Sequence, residues 1–155
     1  MANIKEATFA GGCFWGVENS FMQLDGIMDT TVGYMGGKFV NPTYFDVCSG
    51  LTGHAEVVNI KYDEDKIDFR NLCLVFFNIH DPTTLDRQGP DVGTQYRSSI
   101  FYHDESQKKI AHEVIEELNA KLTVVTEVVP ATTYYIAEDY HQKYILKNNL
   151  ESCGG

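Results

Sequence analysis

Basic side chains are scarce in this sequence. Lys and Arg number 12 against 22 Asp and Glu, a net charge of -10. A protein that grips a phosphate backbone needs a concentrated basic face. The longest basic cluster here is Lys108-Lys109. No nucleic-acid partner is therefore expected, nor one at an anionic membrane surface. Long apolar runs are also missing: none approaches the roughly 20 residues that cross a bilayer. Residues Met1 to Ala7 lack the basic-then-apolar pattern of a secretory signal, so a cytoplasmic protein is expected. Cysteine is sparse and scattered, at 13, 48, 73 and 153, with no Cys-x-x-Cys. That excludes a disulfide scaffold and offers no clustered ligand pairs for zinc. His112-Glu113 begins like a zinc-protease helix, but position 116 is Glu where His is required. No metal and no cofactor are expected.

What remains is a globular composition. Hydrophobic residues are 43% of 155 and charged residues 22%, which excludes a mostly disordered chain. One domain over 1–155 is expected, with 147–155 a flexible tail. Glu6–Ala10 reads as a buried strand broken by Gly11-Gly12, and Cys13–Leu24 as a helix with Phe14, Val17, Phe21 and Leu24 at helical spacing. Thr30–Tyr34 reads as a strand. Residues 39–53 form an ordered loop with a helical turn near Tyr44–Cys48. His54–Tyr62 is the clearest strand, with Glu56, Val58, Ile60 and Tyr62 on one face. Asp68 caps a helix to about Ile79, apolar nearly all round and expected between layers. A polar loop spans Thr83–Gln95. Ser99–Tyr102 is a strand, and Asp104 with Gln107 forms a capping-box pattern ahead of the stripe Ile110, Val114, Leu118 and Leu122. Val124–Val129 is strand-like and Glu138–Lys147 a last helix. The order predicts an α/β or α+β fold with a mixed sheet.

Cys13 occupies a special position: strand, two glycines, then the first turn of a helix. Unpaired backbone N–H groups and the helix field there favour a thiolate. The plain alternative is a small buried hydrophobe beside a turn. A phosphatase loop fails, because Asn19 and His54 stand where arginine is required after Cys13 and Cys48. A serine nucleophile elbow is absent.

The run Gly11-Gly-Cys-Phe-Trp-Gly-Val-Glu18 strongly resembles the active-site motif of the A-type peptide methionine sulfoxide reductases. Asn41–Gly50, Gly53–Val58, His80–Thr83, Gly93–Ser98 and Ala137–Gln142 match that family's pattern in order. The resemblance covers about residues 6–147. It implies a two-layer α/β sandwich with a ferredoxin-like core and long ordered loops. It implies reduction of the S epimer of methionine sulfoxide, free or in proteins, with thioredoxin or a similar dithiol as reductant. A monomer is expected. Carried over residue by residue, Cys13 is the nucleophile and Phe14 and Trp15 form the methyl-binding wall. Glu56 is the acid, on a strand where burial favours the protonated form. Tyr44 and Tyr96 hydrogen-bond the sulfoxide oxygen, and Asp91 organises the same pocket. The bland roles are core packing for Phe14, a solvated strand residue for Glu56, packed loop aromatics for Tyr44 and Tyr96, and a turn residue for Asp91.

The first step would convert Cys13 to a sulfenic acid, which condenses readily with another thiol. Cys153, between Ser152 and Gly154-Gly155, is the leading resolving candidate, and Cys48 the alternative. Cys73 reads as core. Two competing functions stay open from sequence: a non-catalytic module binding methionine or its sulfoxide in peptides, and a peroxidase or disulfide reductase using Cys13 generically.

Overall fold

The computed structural model describes residues 3–148. Its framework is β1 (Ile4–Gly11), α1 (Phe14–Met22), β2 (Ile27–Met35), β3 (Ala55–Asp63), α3 (Phe69–Ile79) and β6 (Ser98–Tyr102). Between β2 and β3 lies the one-turn α2 (Tyr44–Cys48), and between α3 and β6 a small hairpin of β4 (Arg87–Gln88) and β5 (Asp91–Val92). After β6 come α4 (Glu105–Leu118), β7 (Glu127–Pro130), β8 (Tyr135–Ile136) and α5 (Tyr144–Lys147). The sheet order is β7-β6-β1-β3-β2-β8. Its four central strands pair antiparallel, β7 joins parallel to β6, and β8 joins antiparallel to β2. The central order follows from two interleaved strand-helix-strand units, the ferredoxin-like arrangement expected from the resemblance.

Alternation along the strands sorts the sheet's two faces. Phe9, Tyr34, Val58, Ile60 and Ile100 enter the large core with Phe21 of α1, Leu72 and Phe76 of α3, and Val114 of α4. Phe9 lies at its centre, with ring centroids 5.3 Å from Phe21, 5.8 Å from Phe69 and 4.8 Å from Phe76. Ala10, Met35, Val57 and Phe101 face the other way into a smaller cluster.

Five sequence expectations need correction. The helix α3 is not buried all round: Leu74 is exposed, and the core side is Phe69, Leu72, Cys73, Phe76 and Phe77. The loop 83–95 contains the β4–β5 hairpin. The expected strand 124–129 pairs only from Glu127. The expected helix 138–147 is a single 3-10 turn, Asp139–His141, then α5. Tertiary demands split it. The Gln142 amide accepts from the Val32 N–H and donates to the Val32 carbonyl, both at 2.8 Å. Lys143 takes a left-handed conformation and gives its N–H to buried Glu18. At α4, Asp104 caps the Gln107 N–H, but the Gln107 side chain accepts from His103 instead of completing the box.

His80 closes α3 and packs beneath the turn that leads to Cys13. A Cβ on Gly11 would lie 2.9 Å from Phe76 and 3.1 Å from His80, so glycine is required for the close approach. The His80 Nδ1–H faces the Phe76 carbonyl, which only accepts. Nε2 therefore accepts from the Ser98 hydroxyl at 2.6 Å. This is a neutral, half-buried imidazole, and desolvation pushes its pKa down to about 4.

The folded pKa lies below the unfolded value, so the unfolded chain binds more protons in acid. Stability from His80 is full above about pH 6.5 and is lost as pH falls through about 4, by about 3 kcal/mol in total. Urea unfolding between pH 8 and 5 should show wild-type stability declining where His80→Gln declines less. Parallel slopes in the two proteins would contradict this.

Candidate active site

The register of the sheet collects the site at one edge. Phe9 pairs with Val58, and Gly11 with Ser98. Continuing that register, Glu56 lies beside the end of β1, just before Cys13, while Tyr96 lies just before β6. Tyr34 at the end of β2 pairs directly with Glu56. The loop 36–53 leaves β2 at the same edge and returns Tyr44. His54 fixes that loop: its Nδ1 accepts from the Gly37 N–H at 3.0 Å, and its Nε2 bonds the Phe39 carbonyl at 2.7 Å.

Cys13 is the N-cap of α1, half-buried, with its carbonyl accepting from Val17. Gly12 before it has φ +98°, and a Cβ there would lie 2.9 Å from Gln88 of the hairpin. Glycine thus supplies both the turn and the space. Glu56 is 1% exposed, which excludes the solvated strand role. Its Oε1 accepts the Phe14 N–H at 3.2 Å, placing a carboxyl at the helix start one residue from the thiol.

Tyr44 and Tyr96 converge on the same groups. Burial pushes both phenols up, and the Glu56 carboxyl adds to it. Tyr96 is raised further by Cys48, Asp91 and Cys13. These shifts keep both phenols protonated as donors. The Tyr44 side chain also hydrogen-bonds Cys48, whose thiol burial raises.

An aromatic wall surrounds the cluster. Phe14 is buried, with its ring 5.8 Å from Tyr34, 6.2 Å from Tyr44 and 5.2 Å from His141. Trp15 stacks on Tyr144 at 3.8 Å and donates its indole N–H to His141 Nδ1 at 2.9 Å. That bond leaves Nδ1 without a proton, so the neutral ring carries its proton on Nε2. Burial also lowers the His141 pKa.

Every predicted site residue within 3–148 is thus brought together: Cys13, Phe14, Trp15, Tyr44, Glu56, Asp91 and Tyr96. Cys153 lies outside the described residues. Cys73 is in the core, where burial pushes its thiol up to about 12. Sequence reasoning did not assign roles to His141, Tyr34 or Glu138. Glu138 accepts from the Tyr34 hydroxyl and from the Tyr44 N–H, both at 2.9 Å. Two of these three, Glu138 and His141, belong to the 137–142 run. That run carried the only available signal, and nothing local in it announces a polar clamp. Among the described residues no group of three or more potential metal ligands occurs, and no helix is long and apolar enough to cross a membrane.

Comparison with known proteins places this geometry. The family model described as peptide methionine sulfoxide reductase matches residues 5–154. A peptide methionine sulfoxide reductase of Methanothermobacter thermautotrophicus is 52% identical, over 99% of this chain and 93% of its own length. The solved methionine sulfoxide reductase A of Corynebacterium diphtheriae superposes with a TM-score of 0.93 at 38% identity, over 99% of this chain and 79% of that one. Mxr1 of Saccharomyces cerevisiae, solved in complex with Trx2, matches with a TM-score of 0.66 at 30% identity, over 91% of this chain and 84% of that one.

Proposed function

The chain belongs to the peptide methionine sulfoxide reductase family, and on that premise we propose how its own residues carry out the reduction. Cys13 attacks the sulfur of methionine S-sulfoxide as a thiolate. Glu56 delivers a proton to the oxygen, and the phenols of Tyr44 and Tyr96 hold that oxygen by hydrogen bonds. The oxygen passes to Cys13 as a sulfenic acid, and methionine leaves. Phe14 and Trp15 enclose the S-methyl group, since flat, polarisable faces suit a soft sulfur and its methyl. Asp91 orders the pocket beside Tyr96.

One observation carries this reading: the buried Glu56 carboxyl at the first N–H of α1, next to Cys13. A sulfoxide is a poor electrophile until its oxygen is protonated, so thiol and acid must act at adjacent atoms. A module that only bound methionine would have no use for that pair. The half-buried thiol inside an aromatic wall also argues against a generic redox cysteine.

Recycling completes the cycle. The Cys13 sulfenic acid condenses with the Cys153 thiol, forming a disulfide and releasing water. An external dithiol then opens that disulfide by exchange and is itself oxidised. Thioredoxin is the proposed reductant, supported by the yeast Mxr1 complex with Trx2. The proposed setting is cytoplasmic repair of oxidised proteins and free methionine sulfoxide, by a monomer.

The reaction is tested with separated R and S sulfoxides. Cys13→Ser should keep its fold and lose turnover on the S epimer with any reductant. Glu56→Gln keeps the side chain's size but cannot deliver a proton. It should slow the single-turnover release of methionine by about 10²- to 10⁴-fold. A wild-type burst from Glu56→Gln would remove that residue from the acid role.

The recycling half is tested separately. Cys153→Ser should release one methionine per enzyme at the wild-type rate. It should then stall with thioredoxin and be rescued by dithiothreitol, which reaches the sulfenic acid directly. Full thioredoxin-driven activity in Cys153→Ser, with a Cys13–Cys48 bond in peptide maps of the oxidised wild type, would transfer the resolving role to Cys48.

A further inference from the structure

Three methionines lie among the described residues, and they differ sharply in their access to water. Met35 is 1% exposed within the smaller cluster, and Met22 is half-buried at the end of α1. Met28 is 55% exposed. Its place in the sheet accounts for that exposure. Ile27 faces Tyr62 and Asp29 faces Lys61, so β2 advances two residues against one of β3, and Met28 is the extra residue of a bulge. β8 pairs with β2 only at Gly33 and Tyr34. Among the described residues, no strand therefore covers the outer edge of β2 at 27–31. Met28 also joins neither core cluster. A thioether standing in water at an open edge is a target for peroxide. Its conversion to a polar sulfoxide disturbs no packing here, unlike the same change in a core.

We infer that Met28 is an oxidation site of this chain, and that a second copy of the chain reduces its S-sulfoxide. The inference rests on the reading of the site as a sulfoxide reductase. The same copy cannot perform the repair. Met28 stands at the far end of β2 from Tyr34, which pairs with Glu56 at the edge of the site. The six strand residues between those positions span about 20 Å, and the sheet holds both ends. Charge permits the encounter with a second copy. Lys61 lies opposite Asp29 in the ladder, and the Lys143 Nζ is 3.7 Å from the Asp29 carboxylate. The two lysines offset the acid beside Met28, so a partner of net charge -10 does not meet like charge there. The chemistry balances in three steps. Peroxide gives one oxygen to the Met28 sulfur and leaves as water. Cys13 of the second copy takes that oxygen as a sulfenic acid, and Met28 regains its thioether. The dithiol then reduces the sulfenic acid, releasing a second water and ending as a disulfide. In sum, one peroxide and one dithiol become two waters and one disulfide.

The test takes folded, isotope-labelled Cys13→Ser protein as the target. It is treated with hydrogen peroxide, freed of the oxidant and followed by peptide mass mapping. Sulfoxide should appear on Met28 at least about tenfold faster than on Met35. A catalytic amount of unlabelled wild type with dithiothreitol should then remove about half of the Met28 sulfoxide, the S epimer, and leave the rest on longer incubation. Unlabelled Cys13→Ser in place of wild type should remove none. N-acetyl methionine S-sulfoxide amide serves as the parallel substrate. Met28 oxidised no faster than Met35 would overturn the inference. So would wild type that reduces the amide, and the Met28 peptide cut from the target, yet leaves Met28 of the folded target oxidised. Failure of wild type on the amide as well would overturn the reaction itself, and the repair of Met28 with it.

Discussion

The register of β1 between β3 and β6 is the constraint on which the site depends. Phe9 opposite Val58 and Gly11 opposite Ser98 bring the end of β1, the start of β3 and the start of β6 to one edge. Cys13, Glu56 and Tyr96 meet because each lies within two residues of those strand ends. A slip of one residue in β3 would turn Glu56 to the opposite face, away from the helix start. The core prevents it. Phe9, Val58, Ile60 and Ile100 all fill the helix-covered face together with Phe21 and Phe76, and a slipped strand would bury polar or charged residues such as Asn59 and Lys61 there instead. Packing energy far from the chemistry thereby fixes distances within it.

A second level of order comes from polar clamps that hold the aromatic wall. Glu138 reaches from the 137–142 segment to the Tyr34 hydroxyl and the Tyr44 N–H. His141 receives the Trp15 indole N–H. Glu18 accepts from Thr30 and from the Lys143 N–H, which ties α1 to the chain that follows the 3-10 turn. Buried polar groups are costly unless satisfied. Each of these is spent on joining a distant segment to the site, so that Tyr44 and Trp15 stand in fixed positions when substrate arrives. This is also why residues 138–147 do not form the continuous helix their pattern suggests. The Gln142 side chain takes the Ala137 carbonyl, and Glu18 takes the Lys143 N–H, backbone groups that a helix would have used.

Much of this was legible in the sequence. The alternation from 54 to 62, the glycine pair before Cys13, the Asp68 cap and the turn at 44–48 are local signals, and the structure agrees with each. The family resemblance then identified Glu56, Tyr44, Tyr96 and Asp91, which no spacing argument could have joined across four segments. What stayed hidden was long-range. Leu74 turns outward because only one side of α3 meets the sheet. The β4–β5 hairpin is two residues a side, too short to leave a pattern. The roles of Glu138 and Tyr34 exist only through hydrogen bonds between residues about a hundred positions apart, and a single sequence carries no mark of such a pairing.

The central claim is that the oxygen leaves the substrate on Cys13. The most direct measurement is chemical trapping in Cys153→Ser, given one equivalent of methionine S-sulfoxide and dimedone with no reductant present. Dimedone captures sulfenic acids, so peptide mass mapping reports where the oxygen arrived. The expected result is one adduct per enzyme, confined to Cys13, in step with one methionine released. An adduct at Cys48 or Cys73 instead, or methionine released with Cys13 still a free thiol, would contradict it.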